Sequence, residues 1–319
     1  MKVALCFIIN YNHVLNKEHI WRKWIDQNAD IINVYFYYKD LAKIKSDWIL
    51  KHALPIQCIY DTSYFNVVPA YLSIMQYALK KDNENQWFCF LTETCCPIIS
   101  PKKFRYLFFN KCNKSILSWK PAWWNIDFHK RANLALMPKE YRLGNDPYFV
   151  LKREDVINCL RFIKFAPQLS SAIITGGLAN ESLFAIALKY YNQLDNVICK
   201  STHMTDWTRM TTSTSPYLFQ HLCDKDIQFI EKNKHKKYTM FIRKIAPDFP
   251  DDVLEKYIYK YSKEEDDMLK IIYPTVYYKK KVLLFIGYII WTVMGIIVGL
   301  GLGLTAIWSI VKVFNCSNV

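Results

Sequence analysis

The sequence predicts an α/β domain, a mostly parallel sheet with helices on both faces, followed by a C-terminal transmembrane helix. Three observations predict it. Apolar, β-branched or aromatic runs recur at residues 2–9, 31–38 and 87–91. Stretches with helical spacing fall between and after them, the order expected of parallel strands joined by crossover helices. Near the end, residues 282–311 contain no charged side chain.

Lys2–Ile9 is a short apolar run closed by Asn10-Tyr11-Asn12-His13, which reads as a first buried strand. Ile31–Tyr38 reads as a second strand and Ile56–Tyr60 as a brief third. Val67–Leu79 carries Val67, Ala70, Tyr71, Ile74, Met75 and Ala78 on one helical stripe, with Pro69 tolerated in the first turn. Trp87–Leu91 is a further strand, and Thr92-Glu93-Thr94 follows at its C-terminal end. Asp155–Phe165 is helical by spacing, and Asn180 is expected to cap a helix running to about Tyr191. Sheets of this kind bind ligands beyond the carboxyl ends of their strands. The expected rims are therefore Asn10–His13, Tyr38–Asp40 and Thr92–Cys96.

Residues 282–311 are flanked by Lys281 and Lys312, and at a rise of ~1.5 Å per residue they would form about 45 Å of helix, more than a bilayer core of ~30 Å. Lys279, Lys280 and Lys281 stand on the N-terminal side, against Lys312 beyond. The positive-inside bias thus keeps residues 1–281 in the cytosol. The first residues show no cleavable leader. The expected organisation is a domain over 1–260, a charged stem over 261–281, a single-pass C-terminal anchor over 282–311 and a short tail over 312–319. Gly295, Gly299 and Gly303 would share one helix face and could serve a homodimer, although glycine is common in spanning helices.

Hydrophobic residues make up 52% and charged residues 22%, which supports a packed core and excludes wholesale disorder. The net charge of +14 asks for an anionic partner such as nucleic acid, lipid headgroups or a phosphorylated substrate. The 10 cysteines form no Cys-x-x-Cys pair and no zinc spacing, so free thiols are expected. Gly-x-Gly-x-x-Gly, P-loop, His-Glu-x-x-His and Gly-x-Ser-x-Gly motifs are all missing. Asp224-Lys225-Asp226 matches a metal-binding Asp-x-Asp, but it opens an apparent helix instead of closing a strand, so capping is the expected role. Lys232, Lys234, His235, Lys236 and Lys237 form a basic cluster without any nucleic-acid module around it, and it could equally face anionic lipid.

The stretch Trp87–Leu91 followed by Thr92-Glu93-Thr94-Cys95-Cys96-Pro97 resembles the strand-plus-"SEsCiPl" signature of the core-2/I-branching N-acetylglucosaminyltransferase family. Four further segments follow the family's order. Tyr71–Leu79 is similar to the helix before the signature. Gly144–Val150, continuing through Arg153, Glu154 and Val156, is similar to "GSaYFvvsREyV". Asn180–Phe184 stands at "DEhlf", and Phe241–Ile245 at "FArKF". The resemblance covers roughly residues 1–260 and leaves the apolar C-terminal segment outside.

The resemblance implies a GT-A type domain that transfers GlcNAc, or xylose, from a UDP-sugar to a glycan or glycoprotein hydroxyl, with inversion and without a divalent metal or other cofactor. It implies that Glu181 is the catalytic base, placed at a helix start where the backbone dipole would favour its ionised form. Lys244 would hold the diphosphate, with Arg243 or Arg209 as second cation. Asp40 would contact uracil, and Tyr64 or Tyr60 would stack on the base. Glu93, Trp123, Trp124 and Asp146 would contact the acceptor, with Asn145 shaping that side. The sequence departs from the pattern at Asn180, where the family has Asp. That departure supports a rival reading, a catalytically inactive membrane protein that keeps the fold to bind sugar or partners. Cellular members carry an N-terminal anchor and a lumenal domain. A C-terminal anchor and a cytosolic domain suggest a viral or otherwise unusual source. A lumenal domain would instead allow modification of the Asn113 and Asn180 sequons.

Overall fold

A computed structural model describes residues 1–259. The expected stem, spanning segment, glycine face and tail lie outside the described residues. Among the described residues no helix is long and apolar enough to cross a membrane.

The strands are β1 (Lys2–Ile8), β2 (Ile32–Tyr37), β3 (Asn85–Thr92), β4 (Cys96–Pro97), β5 (Trp119–Pro121), β6 (Leu143–Asn145), β7 (Val150–Lys152), β8 (His203–Thr205) and β9 (Phe241–Arg243). The helices are α1 (Glu18–Asp26), α2 (Asp47–His52), α3 (Val68–Lys81), α4 (Pro101–Tyr106), α5 (Arg153–Phe165), α6 (Pro167–Ile174), α7 (Leu183–Tyr190), α8 (Asp224–Asn233) and α9 (Asp251–Tyr259). The main sheet runs β2-β1-β3-β7. Its first three strands are parallel, in a register that sets Val3 opposite Ile32 and Trp87, and β7 is antiparallel to β3. A smaller sheet runs β4-β9-β8, and β5 pairs with β6.

Alternation along β1 explains why that strand is apolar throughout. Val3, Leu5 and Phe7 enter one core cluster, whereas Ala4, Cys6 and Ile8 enter another on the opposite face. In β3, Trp87, Cys89 and Leu91 divide from Phe88 and Phe90 in the same way. Helices α3, α5 and α7 cover the second face. The first face is covered by α1, α4 and the smaller sheet. Each fully buried Phe there contributes about 1.5–3 kcal/mol by leaving water.

Three expectations need correction. Residues 56–60 form no strand: a 3-10 turn covers Ile56–Cys58, because Pro55 redirects the chain just after Leu54 donates to the Phe36 carbonyl. Asn180 does not cap a helix. It lies buried in a 3-10 turn, and α7 begins at Leu183 with Ser182 in front of it. Glu181 therefore precedes the helix instead of lying in its first turn. Helix α1 was not anticipated, although Ile20, Trp21, Trp24 and Ile25 carry its spacing. Their indoles anchor it, Trp21 to the Cys95 carbonyl at 2.9 Å and Trp24 to the Ile99 carbonyl at 2.8 Å.

Candidate active site

The three rims expected beyond β1, β2 and β3 join one another. Asn10 Nδ2 donates to Glu93 Oε1 at 3.0 Å, and the Asp40 amide donates to His13 Nε2 at 2.9 Å. His13 closes the turn with its Nδ1 against the Tyr11 carbonyl at 2.7 Å, and its own backbone is left-handed at φ 56°. Beyond β9 the chain joins the same end: the Ile245 amide donates to the Thr94 carbonyl at 2.8 Å, and Asn16 Nδ2 donates to the Ile245 carbonyl at 2.8 Å. Arg243 and Lys244 are thus delivered beside Glu93.

Arg243 is the centre of charge. Its side chain is 7% exposed, its guanidinium lies 4.0 Å from the Tyr148 ring centroid, and its Nε has no hydrogen-bond partner. Among the described residues no carboxylate forms an ion pair with it. Its field nevertheless reaches Glu93, Asp146 and Glu181, lowering each carboxylate's proton affinity against a larger opposing effect of burial. Burial raises the pKa of all three. Ser118 and Ser201 hydroxyls also offset it at Asp146. Lys244 is half-buried. Burial and the nearby Arg243 hold its pKa below the ordinary lysine range, while Glu93 opposes them. Its Nζ donates to Ser215 Oγ at 3.2 Å. His203 packs against Tyr148, with ring centroids 5.0 Å apart, and its buried Nε2 is also unpartnered. Arg243 Nε and His203 Nε2 are thus two buried polar atoms whose hydrogen-bonding capacity a polar ligand could meet.

Glu181 is positioned from several sides. Asn145, buried in β6, donates to the Asn180 carbonyl at 3.0 Å and accepts from the Ala185 amide at 3.2 Å, tying the turn to α7. Leu178, three residues before Glu181, is left-handed at φ 54°, and its amide donates to the Phe65 carbonyl at 2.8 Å. The Glu181 carboxylate accepts from Arg131 Nη1 at 3.2 Å. Arg131 in turn lies over the Trp124 ring, 5.4 Å from its centroid. Burial raises the Glu181 pKa first of all; Arg131 and Arg243 counter it, and Asp146 adds to it. The helix-dipole argument made for Glu181 is therefore replaced by one of desolvation against two arginines.

The remaining site expectations separate. Trp123 and Trp124 pack edge to face over Gly144, where a Cβ would stand 2.5 Å from Trp123 and 2.9 Å from Trp124. Through Arg131 they are connected to Glu181. Tyr64 and Tyr60 are exposed; Tyr64 packs against Phe65, whose carbonyl holds Leu178. Asp40 is on the β2 rim, but its carboxylate caps the turn Leu41–Lys43 through the Ala42 amide at 3.0 Å. Arg209 is ion-paired: it reaches Asp206 at 2.7 Å and Asp226 at 2.8 Å, both fully buried carboxylates. Those two carboxylates offset its charge, while its buried Nη2 has no hydrogen-bond partner. Asp226 also accepts from the Cys223 amide at 3.1 Å, which makes the Asp-x-Asp sequence a helix start, as expected. Arg131 was not anticipated, since a single arginine in so basic a chain gives no signal of its own.

A family model described as Core-2/I-Branching enzyme matches residues 36–234, more than half of the chain. The chain belongs to the Core-2/I-branching enzyme family. It is accordingly a glycosyltransferase, which takes a nucleotide-sugar donor and a glycan acceptor. No curated protein matches the chain. The mixed α/β architecture with its mainly parallel sheet fits a GT-A-like glycosyltransferase fold. The family match includes Glu93, Trp124, Arg131, Asp146 and Glu181 but ends before Arg243 and Lys244. Those two cations enter the site on geometry.

Proposed function

We propose that this member of the family is a metal-independent, inverting transferase that moves GlcNAc or xylose from a UDP-sugar to a hydroxyl of a glycan or glycoprotein. Glu181 takes the proton of the acceptor hydroxyl as that oxygen attacks C1 of the donor sugar and the UDP leaves. Arg243 and Lys244 offset the charge of the departing diphosphate. Trp123 and Trp124 carry the acceptor, with Asp146 on the same side. The observation that carries the reading is the placement of Arg243, an unpaired buried cation whose field reaches both Glu181 and Lys244. A burial-raised carboxylate suits a base that must accept a proton near neutral pH. Asn180 is compatible with this role: the position is buried, where a neutral amide is cheaper than a second carboxylate.

The test is UDP-sugar turnover by the full-length protein in detergent, with EDTA present. Turnover that Glu181→Gln abolishes while UDP still binds supports the reading. A strict requirement for manganese would overturn the metal-independent part, and failure to bind UDP at all would favour the non-catalytic sugar-binding alternative. The anchoring proposal is separate. Residues 282–311 hold the protein in a membrane with residues 1–281 in the cytosol, on the strength of the apolar run and its flanking lysines. Protease added to intact membranes should digest the domain; protection would reverse the topology.

A further inference from the structure

Arg131 touches Glu181 and lies over the Trp124 ring, and the chain around it is built with unusual strain. Ala132 and Asn133, which follow it, are both left-handed, at φ 50° and 49°. Such conformations are uncommon outside glycine and persist where surrounding structure enforces them. The enforcing contacts are specific. The Ala132 amide donates to the Gly177 carbonyl at 2.9 Å, and Asn133 Nδ2 donates to the Ala172 carbonyl at 2.8 Å. Gly176 admits the loop so closely that a Cβ there would stand 2.4 Å from the Asn133 nitrogen. The same segment, two residues on, enters the turn that carries Glu181. One strained loop and one strained turn are thus clamped together, with the Arg131–Glu181 pair at 3.2 Å as their side-chain link.

We propose that Arg131 is a positioning residue, which holds the Glu181 carboxylate in place and keeps it charged for proton transfer, with residues 132–133 as its rigid mount. This rests on the reading of Glu181 as the base. Burial favours the protonated form of Glu181, and a base must be deprotonated to act, so the cation that touches the carboxylate works in the direction the reaction needs. The charged groups facing Glu181 are Arg131, Asp146 and Arg243. Helix α3 brings the buried Tyr71 hydroxyl toward Asn180, and α6 brings no titratable side chain. Of the two cations, Arg131 alone touches the carboxylate.

The experiment compares pH–rate profiles of full-length wild type, Arg131→Gln and Arg131→Lys. Loss of the cation should move the acid limb of the kcat profile to higher pH. At mildly acidic pH, Arg131→Gln should therefore be about tenfold slower, for a shift of about one unit, and should converge on wild type as the pH rises. Its acceptor KM should stay within about twofold, and Arg131→Lys should restore the limb. An unmoved limb with a raised acceptor KM would overturn the proposal and make Arg131 an acceptor ligand. If Arg131→Gln does not fold, Asn133→Gly tests the mount: it accepts φ 49° and loses the tether to Ala172. Its kcat should fall and its limb move upward; both unmoved would overturn the proposal. An active Glu181→Gln enzyme would instead remove the reading beneath it, and the Arg131 profiles keep the two failures apart.

Discussion

The Arg243 guanidinium stands over Tyr148, 4.0 Å from its ring centroid, buried and without an ion-pair partner among the described residues. A cation costs free energy in such a place unless something anionic shares it. If the donor diphosphate does so, Arg243→Met should weaken UDP binding at least tenfold, in keeping with the ~1.5–3 kcal/mol of a charge-assisted hydrogen bond. Arg243→Lys should not restore it, because an ammonium neither stacks on the ring nor presents a fork. Titration calorimetry with UDP measures both. Unchanged affinity would place the diphosphate elsewhere.

Glu181→Gln should lower transfer by about 10²–10⁴-fold, and it should also make the fold more stable at neutral pH. The sign follows from burial. A carboxylate whose folded pKa lies above its unfolded value contributes stability that is fully present below the unfolded value and is lost as pH rises through the folded one. At pH 7 the charged group is therefore a net cost to the fold. Thermal melts should show Glu181→Gln above wild type at pH 7, with the gap closing toward pH 4. Glu93→Gln and Asp146→Asn should behave likewise, since burial raises both. A variant that melts lower at pH 7 would contradict the assignment of burial as the dominant influence.

Legibility from sequence divided along physical lines. Strands β1, β2 and β3 were readable to within two residues at either end because burial on both faces forces continuous apolar runs. Helix α3 was readable because its stripe faces one core. The rims followed from the strand ends, and their mutual hydrogen bonds, Asn10 to Glu93 and Asp40 to His13, match that logic. Short strands such as β8 and β9 were missed: three residues carry no period. Arg131 was missed, and the ion pairs of Arg209 were not foreseen, for a shared reason. What an arginine does depends on which carboxylate the fold brings to it, and Asp206, Asp226 and Glu181 arrive from positions that no local pattern connects.

Gly144→Ala tests the indole platform without touching a charged group. The new methyl would meet Trp123 and Trp124 inside normal contact distance, so one or both rings must move, and overpacking of this kind costs about 1–3 kcal/mol. If the indoles carry the acceptor, its KM should rise severalfold while the affinity for UDP stays put. Equal loss on both substrates would mean that the change spreads beyond the platform.

Arg209 decides between a structural cation and a donor ligand. Among the described residues it is the one cation that ion-pairs with both Asp206 and Asp226, whose side chains are 1% and 0% exposed. Removing it in Arg209→Ala strands two buried charges, and breaking a buried pair costs about 3–5 kcal/mol. Its guanidinium also packs on Tyr217, 4.0 Å from the ring centroid, so contact is lost along with charge. The triple variant Arg209→Met, Asp206→Asn, Asp226→Asn removes charge from all three positions and should recover part of that loss, although Asp226 also caps α8. Denaturant unfolding should show the single variant far below the triple. An Arg209→Ala protein of wild-type stability that no longer binds UDP would return Arg209 to the donor site.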